Sequence, residues 1–129
     1  MSQAASQASA FYKQVAKGKR VWTVRDDNGY PAPMTSSGQR AQPFWSSLAR
    51  VKKIIKTAPA YSKFRPHEIS WEDFTQKWVP GLTKDKLLVG VNWSGSKAVG
   101  YDLQPIDIQR NVETQRNSEP DYLLKALRT

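Results

Sequence analysis

Apolar residues recur along this chain at two periods, and each change of period marks a new element. Trp71, Phe74 and Trp78 stand three and four residues apart, which puts them on one face of a helix. Ser70 precedes them as a natural N-cap. Asp73 follows at the spacing of a capping box, with Asp replacing the usual Glu or Gln. Ile69 just outside the cap and Phe74 inside it are spaced for a hydrophobic staple. Pro80 and Gly81 are expected to stop this helix. The pattern describes a short aromatic helix that docks on an apolar surface, and it contains no chemistry of its own.

The rest of the chain is read in the same way. Met1 to Ser9 lacks periodicity and is expected to be a flexible lead-in. Phe11, Tyr12 and Val15 suggest a short helix from Ala10, ended by Gly18. Val21 to Val24 is β-branched and aromatic, a strand. Asn28-Gly29 then signals a hairpin whose return strand starts at Tyr30, short or at an edge because of Pro31 and Pro33. Thr35 to Gln42 reads as a polar loop. Ser46-Ser47 is a helix-cap candidate before Leu48, Val51, Ile54 and Ile55, an apolar stripe that should end before Pro59. Ala60 to Pro66 reads as a loop or a ragged extra turn. Leu87 to Trp93 is the best strand, with Leu87, Val89, Val91 and Trp93 on one face and Leu88, Gly90 and Asn92 on the other. Ser94 to Lys97 forms a hairpin loop and Ala98 to Leu103 returns. Pro105 opens a last helix carrying Ile106, Ile108 and Val112, which Ser118-Glu119-Pro120 breaks.

Strands gathered as two hairpins predict the α+β class, a four-stranded antiparallel sheet with helices packed on one face. One domain over residues 10–117 is expected, after the lead-in 1–9 and before an amphipathic tail, 118–129.

Charge alters this picture more than composition does. The 129 residues carry a formal net charge of +9 and no cysteine. Residues 1–66 hold 12 Lys/Arg against 2 Asp/Glu, and residues 67–129 hold 8 against 9. A basic half attracts polyanions or acidic protein surfaces. The absence of cysteine excludes disulfides, thiolate metal sites and a cysteine nucleophile, and suits a reducing compartment. No apolar run approaches the roughly 20 residues that span a bilayer, and the N-terminus has no secretory pattern. A cytoplasmic protein that does not engage a membrane is the expectation.

Five short words occur in order along the chain: Val21-Trp22-Thr23, Pro43-Phe44-Trp45-Ser46, Pro66 to Phe74, Trp78 to Leu82, and Val89-Gly90-Val91-Asn92-Trp93. From Phe11 to about Glu113 they resemble the bacterial family called domain of unknown function 2750. The resemblance implies a small bacterial cytoplasmic protein without an assigned activity, and it carries over no catalytic residue. The chain departs from that family in its basicity and its terminal extensions.

Candidate chemistry is sparse. His67 is the single histidine, and no nucleophile or orienting group can be matched to it, so a structural or exposed role is expected. Glu72 and Asp73 point about 100° apart on a helix and suit its positive end. Asp26 and Asp27 look like turn residues. Ser94-Gly95-Ser96-Lys97 is a hairpin loop rather than a phosphate loop. No metal-ligand spacing and no cofactor motif is present.

The basic residues form the one constellation with functional potential. Arg50, Lys52, Lys53 and Lys56 line the second helix, with Arg20 and Trp45 expected nearby and Trp45 expected to be incompletely buried. These six are the candidate binding residues. Ile69, Ser70, Asp73, Phe74 and Trp78 are read as structural. The expected function is a non-enzymatic interaction module recognising an acidic protein surface through this basic, Trp-containing face. Non-specific nucleic-acid binding is the alternative, with Trp22, Trp45 and Tyr61 as stacking rings. A small-molecule protein or enzyme is the third reading. Its cleft would be lined by Trp45, Trp71, Phe74, Trp78 and Trp93, with Asn92, Tyr101 and Gln76 supplying polar groups. A homodimer is compatible with all three.

Overall fold

A computed structural model describes residues 2–118. The elements run α1 (Gln3–Gly18), β1 (Arg20–Arg25), β2 (Ala41–Phe44), α2 (Leu48–Thr57), a 3-10 turn (Pro59–Tyr61) and β3 (Arg65–Ser70). Next come α3 (Trp71–Asp73), a π-helical turn (Phe74–Trp78), α4 (Val79–Lys84), β4 (Leu88–Ser94), β5 (Val99–Leu103) and α5 (Pro105–Ser118). The class is α+β. Of the expected tail, 118–129, Ser118 ends α5 and residues 119–129 lie outside those described.

The sheet differs from the expected pair of hairpins. β1 pairs antiparallel with β3, and a second sheet runs β2-β4-β5. β2 lies parallel to β4, and β4 antiparallel to β5. A two-way backbone bridge between Trp22 and Trp45, with N···O distances of 2.7 and 2.8 Å, ties the sheets together. The second hairpin forms as expected, whereas the first does not. Asp26 and Gly29 close a turn, with Asn28 N–H donating to Asp26 Oδ1 at 2.8 Å. Pro31 and Pro33 then leave the segment after Tyr30 without the amide donors a strand needs. β1 instead takes its ladder from Arg65–Ser70, read from sequence as loop and cap. Likewise the supposed polar loop ends in β2, every residue of which is buried.

Helices cover both faces of the β-structure rather than one. Val21, Phe44, Val89 and Val91 face a core completed by Phe11 and Val15 of α1, Trp71 and Phe74, and Ile108 and Val112 of α5. Their strand neighbours Val24, Ala41 and Leu88 face a second core with Val51 and Ile54 of α2, Trp45, Tyr61 and Trp93. Strand residues alternate in side, so burying both sets requires a layer on each face. α1 begins at Gln3, with Ser2 Oγ accepting from Ala5 N–H at 3.1 Å, well upstream of the expected Ala10. Burial of Ala8 beside Phe11 holds these early turns. The helix ends at Gly18 as expected, although Lys19 takes the left-handed position (φ 56°).

The aromatic helix starts as its sequence predicts. Ser70 Oγ accepts from Asp73 N–H at 3.1 Å, and Ile69 and Phe74 are buried in one core. The other half of the capping box is absent. Asp73, one methylene shorter than Glu, turns its carboxylate to Lys77 Nζ at 3.6 Å. Trp71 stacks on Phe74 with 5.4 Å between centroids, and Phe44 meets Phe74 edge-on at 5.2 Å. Pro80 and Gly81 do not stop the helix, which continues to Lys84. Val79 N–H reaches back five residues to Phe74 O, opening a π turn immediately before the proline. The wider turn accommodates a ring that a regular α-helix would crowd against a preceding carbonyl. The stop comes at Lys86 (φ 57°), where Leu87 N–H donates to Leu82 O at 2.9 Å.

β4 changes face within its own length. Asn92 is left-handed (φ 48°), and the ladder slips between Val91 and Ser94. Trp93 therefore leaves the side of Val89 and Val91 and joins Leu88 in the second core. Its indole lies across Gly90 and Gly100, where any side chain would collide with the ring.

Candidate binding surface

Helix α2 sets up the basic face. Ser47 caps it, Oγ accepting from Arg50 N–H at 3.2 Å, and Val51 and Ile54 anchor it to the second core. The helical period then turns Lys52, Lys53 and Lys56 to solvent. Among the described residues the ion pairs are Arg20–Glu68, Arg65–Asp27, Lys77–Asp73 and Arg110–Asp107, so none neutralises an α2 lysine. Arg50 is half-buried and its Nε donates to Gln14 Oε1 of α1 at 3.1 Å.

Beside this face lies a cleft of about 410 Å³ between α1, α2 and the end of β4. Arg50, Lys53 and Thr57 form one wall, Gln3 and Gln7 another, and Trp45, Ile54 and Trp93 the floor. A hydrogen-bonded network stiffens it from below. Asn92 Oδ1 accepts from Ser46 N–H at 2.9 Å, and Asn92 Nδ2 donates to Ser46 Oγ at 2.9 Å and to Gln7 O at 3.1 Å. Gln7 Nε2 donates to Ser94 Oγ at 2.6 Å, and Ser46 Oγ donates to Gln14 Oε1. Asn92 is itself buried, so these bonds replace water it has lost. A satisfied network of this kind fixes the positions of the residues above it.

The structure sets Arg50, Lys52, Lys53 and Lys56 on one helix and brings Arg50 and Lys53 into the cleft with Trp45, but it corrects the expected exposure of that ring. Trp45 is 1 % exposed, and its Nε1–H donates to Trp93 O at 2.9 Å. The Trp22 bridge and the Tyr61 ring, edge-on at 6.2 Å, close over it. Arg20 is not in the cleft wall. It pairs with Glu68 Oε1 across β1 and β3 at 3.2 Å. The imagined five-aromatic cleft is divided between the cores, with Trp71, Phe74 and Trp78 on one side and Trp45 and Trp93 on the other. Asn92 does lie under the cleft, Tyr101 borders a neighbouring one, and Gln76 is exposed on its helix. Gln7, Gln14 and Ser46 were not legible as site residues. Only the juxtaposition of Trp45-Ser46 with Asn92-Trp93, two of the five sequence words, marks them.

Some titratable groups elsewhere, among the described residues, are shifted by their surroundings. His67 sits on β3 with Nε2 3.3 Å from the Tyr30 hydroxyl, and burial and then the Arg25 charge hold its pKa below the usual imidazole value. Burial raises Asp102, whose Oδ1 accepts from Trp93 Nε1–H at 3.1 Å and so offsets part of that rise. Burial also raises Tyr61. Among the described residues, no cluster of His, Asp and Glu could hold a metal ion, and no helix is long and apolar enough to cross a membrane.

Comparison with known families places the chain. The model described as Protein of unknown function (DUF2750) covers residues 8–112, and the chain belongs to that family. No curated protein and no solved structure matches it.

Proposed function

We propose that this member of the family is a non-enzymatic interaction module whose α2 face and adjoining cleft receive an acidic protein partner. One observation carries the reading: Lys52, Lys53 and Lys56 stand exposed on α2 without an ion-pair partner among the described residues, and Lys53 lines, with Arg50, a hydrogen-bonded cleft. Unpaired cations on one helix face steer an acidic surface in, and a rigid cleft beside them supplies shape. The burial of Trp45 and Tyr61 favours a protein partner over single-stranded nucleic acid, because neither ring is available for a base to stack on. A cytoplasmic setting belongs to the same proposal.

The test is a pull-down from lysate with and without nuclease, using the intact protein and its Lys52→Glu/Lys53→Glu variant. The expected result is an acidic protein that survives nuclease and high-affinity washing at low salt and is lost with the variant. Recovery of nucleic acid alone, or equal capture by both proteins, would overturn the reading.

A further inference from the structure

The two sheets end in edges of opposite character. β3 is the outer strand of one, and its Arg65-Pro66-His67-Glu68 run carries the charges and the proline that blunt an edge against pairing. β5 is the outer strand of the other, and it reads Val99-Gly100-Tyr101-Asp102-Leu103. It has no lysine, arginine or proline, and its one charge is turned inward, where Asp102 meets the Trp93 indole. Among the described residues, no backbone hydrogen bond joins residues 99–103 to anything beyond β4. Val99 and Tyr101, on the same side of the strand, are 64 % and 45 % exposed. An unprotected edge of this length is a template for one more strand.

The edge is also joined to the basic face. The cleft beside α2 and a larger one of about 620 Å³ beside β5 share Gln3, Gln7, Ser94, Gly95 and Ser96 in their walls, so they adjoin one another around the hairpin loop. Lys97 lies on the way. We propose that this groove takes an extended acidic polypeptide segment, which adds to β5 as a strand and carries its carboxylates on towards Arg50 and Lys53. The proposal rests on the reading of α2 as the acidic-partner surface and specifies the form of that partner. Charge selects the occupant. At a net charge of +9 two copies of this chain repel one another, whereas an acidic strand is attracted. Backbone pairing would give affinity, and Val99 and Tyr101 would set register against alternate side chains.

The experiment is amide hydrogen exchange on the intact protein, with a capped ten-residue peptide of alternating glutamate and valine as probe. A second peptide carries N-methyl groups on alternate amides. The expected result is new protection across residues 99–103 with the first peptide. Binding should weaken about tenfold with the second, the loss of about two hydrogen bonds. Protection at α2 without protection of 99–103, or no protection at millimolar peptide, overturns the added strand. Protection of 99–103 before any peptide is added also overturns it, because the edge is then filled by the chain itself or, if the effect grows with concentration, by a second copy. The Lys52→Glu/Lys53→Glu variant separates the two claims. If it binds the peptide as tightly as the parent while still protecting 99–103, the edge stands and the α2 reading falls.

Discussion

The two sides of β4 are closed in different ways. On one, Val89 and Val91 meet Phe11, Val15, Phe44, Phe74, Ile108 and Val112, an interior of hydrocarbon and rings. On the other, Trp45 and Trp93 each direct an indole N–H to a backbone carbonyl, at 2.9 and 3.1 Å, and buried Asn92 ties three segments together. The first side closes by shape, which is tolerant of direction. The second closes by directional bonds, which hold a cleft in a fixed form but leave orphaned polar groups when one partner is lost. The proposed binding surface lies over the second.

That contrast can be broken by mutation. Phe74→Ala opens a cavity in the apolar interior and is expected to remove about 3–5 kcal/mol in urea unfolding. A loss below about 1 kcal/mol would mean this side is not packed as described. Asn92→Ala removes the bonds to Ser46 and Gln7 and forces a left-handed alanine, for about 3 kcal/mol. Asn92→Gly should recover only about 1 kcal/mol of that, because it restores the backbone freedom and none of the bonds. Equal stability of Asn92→Gly and the parent would show that conformation alone matters there.

Gly90→Ala sharpens the comparison more gently. Its methyl displaces the Trp93 ring, with an expected loss of about 1–3 kcal/mol and a shifted Trp93 indole N–H resonance. An unshifted resonance would rule out the close contact. Ser70→Ala, which removes a cap feeding the apolar side, should lose about 1 kcal/mol and leave the cleft unchanged.

The smallest effect concerns pH. The folded His67 pKa lies below its unfolded value, so the unfolded chain takes up the proton first as pH falls. Stability from this group is complete above about pH 6.5 and declines as pH falls from there towards the folded value. Thermal melts should show that decline, and His67→Asn should flatten it.

Local signals were legible where the physics is local. The Ser70 cap, the Asn28-Gly29 turn, the 94–97 loop and Pro105 all act within a few residues, and each forms where its sequence places it, whereas the expected α2 stripe buries Val51 and Ile54 and leaves Leu48 exposed. The candidate site was half legible. The spacing of Lys52, Lys53 and Lys56 on a helix predicts their exposure, but nothing in the sequence around Trp45 announces that Trp22, Tyr61 and Trp93 bury it. The same holds for Gln7 and Ser46, which are ordinary polar residues until Asn92 reaches them from 46 or more residues away, and for Gln14, which Ser46 Oγ reaches in turn.

By itself, the sequence determined helix α2 and the start of α5, the caps at Ser47 and Ser70, the strand segments at Val21 and Val89, the family and the separation of charge. Those depend on periodicity, side-chain type and neighbours within one turn. Tertiary structure alone decided that β1 pairs with Arg65–Ser70, that β2 runs parallel to β4, that Pro80 continues a helix across a π turn, and that Trp93 crosses to the second core. In the strand pairings and at Trp93 a local preference gave way to a long-range gain. A strand without amide donors to pair with found them elsewhere, and an interior with both faces to fill required a layer on each side.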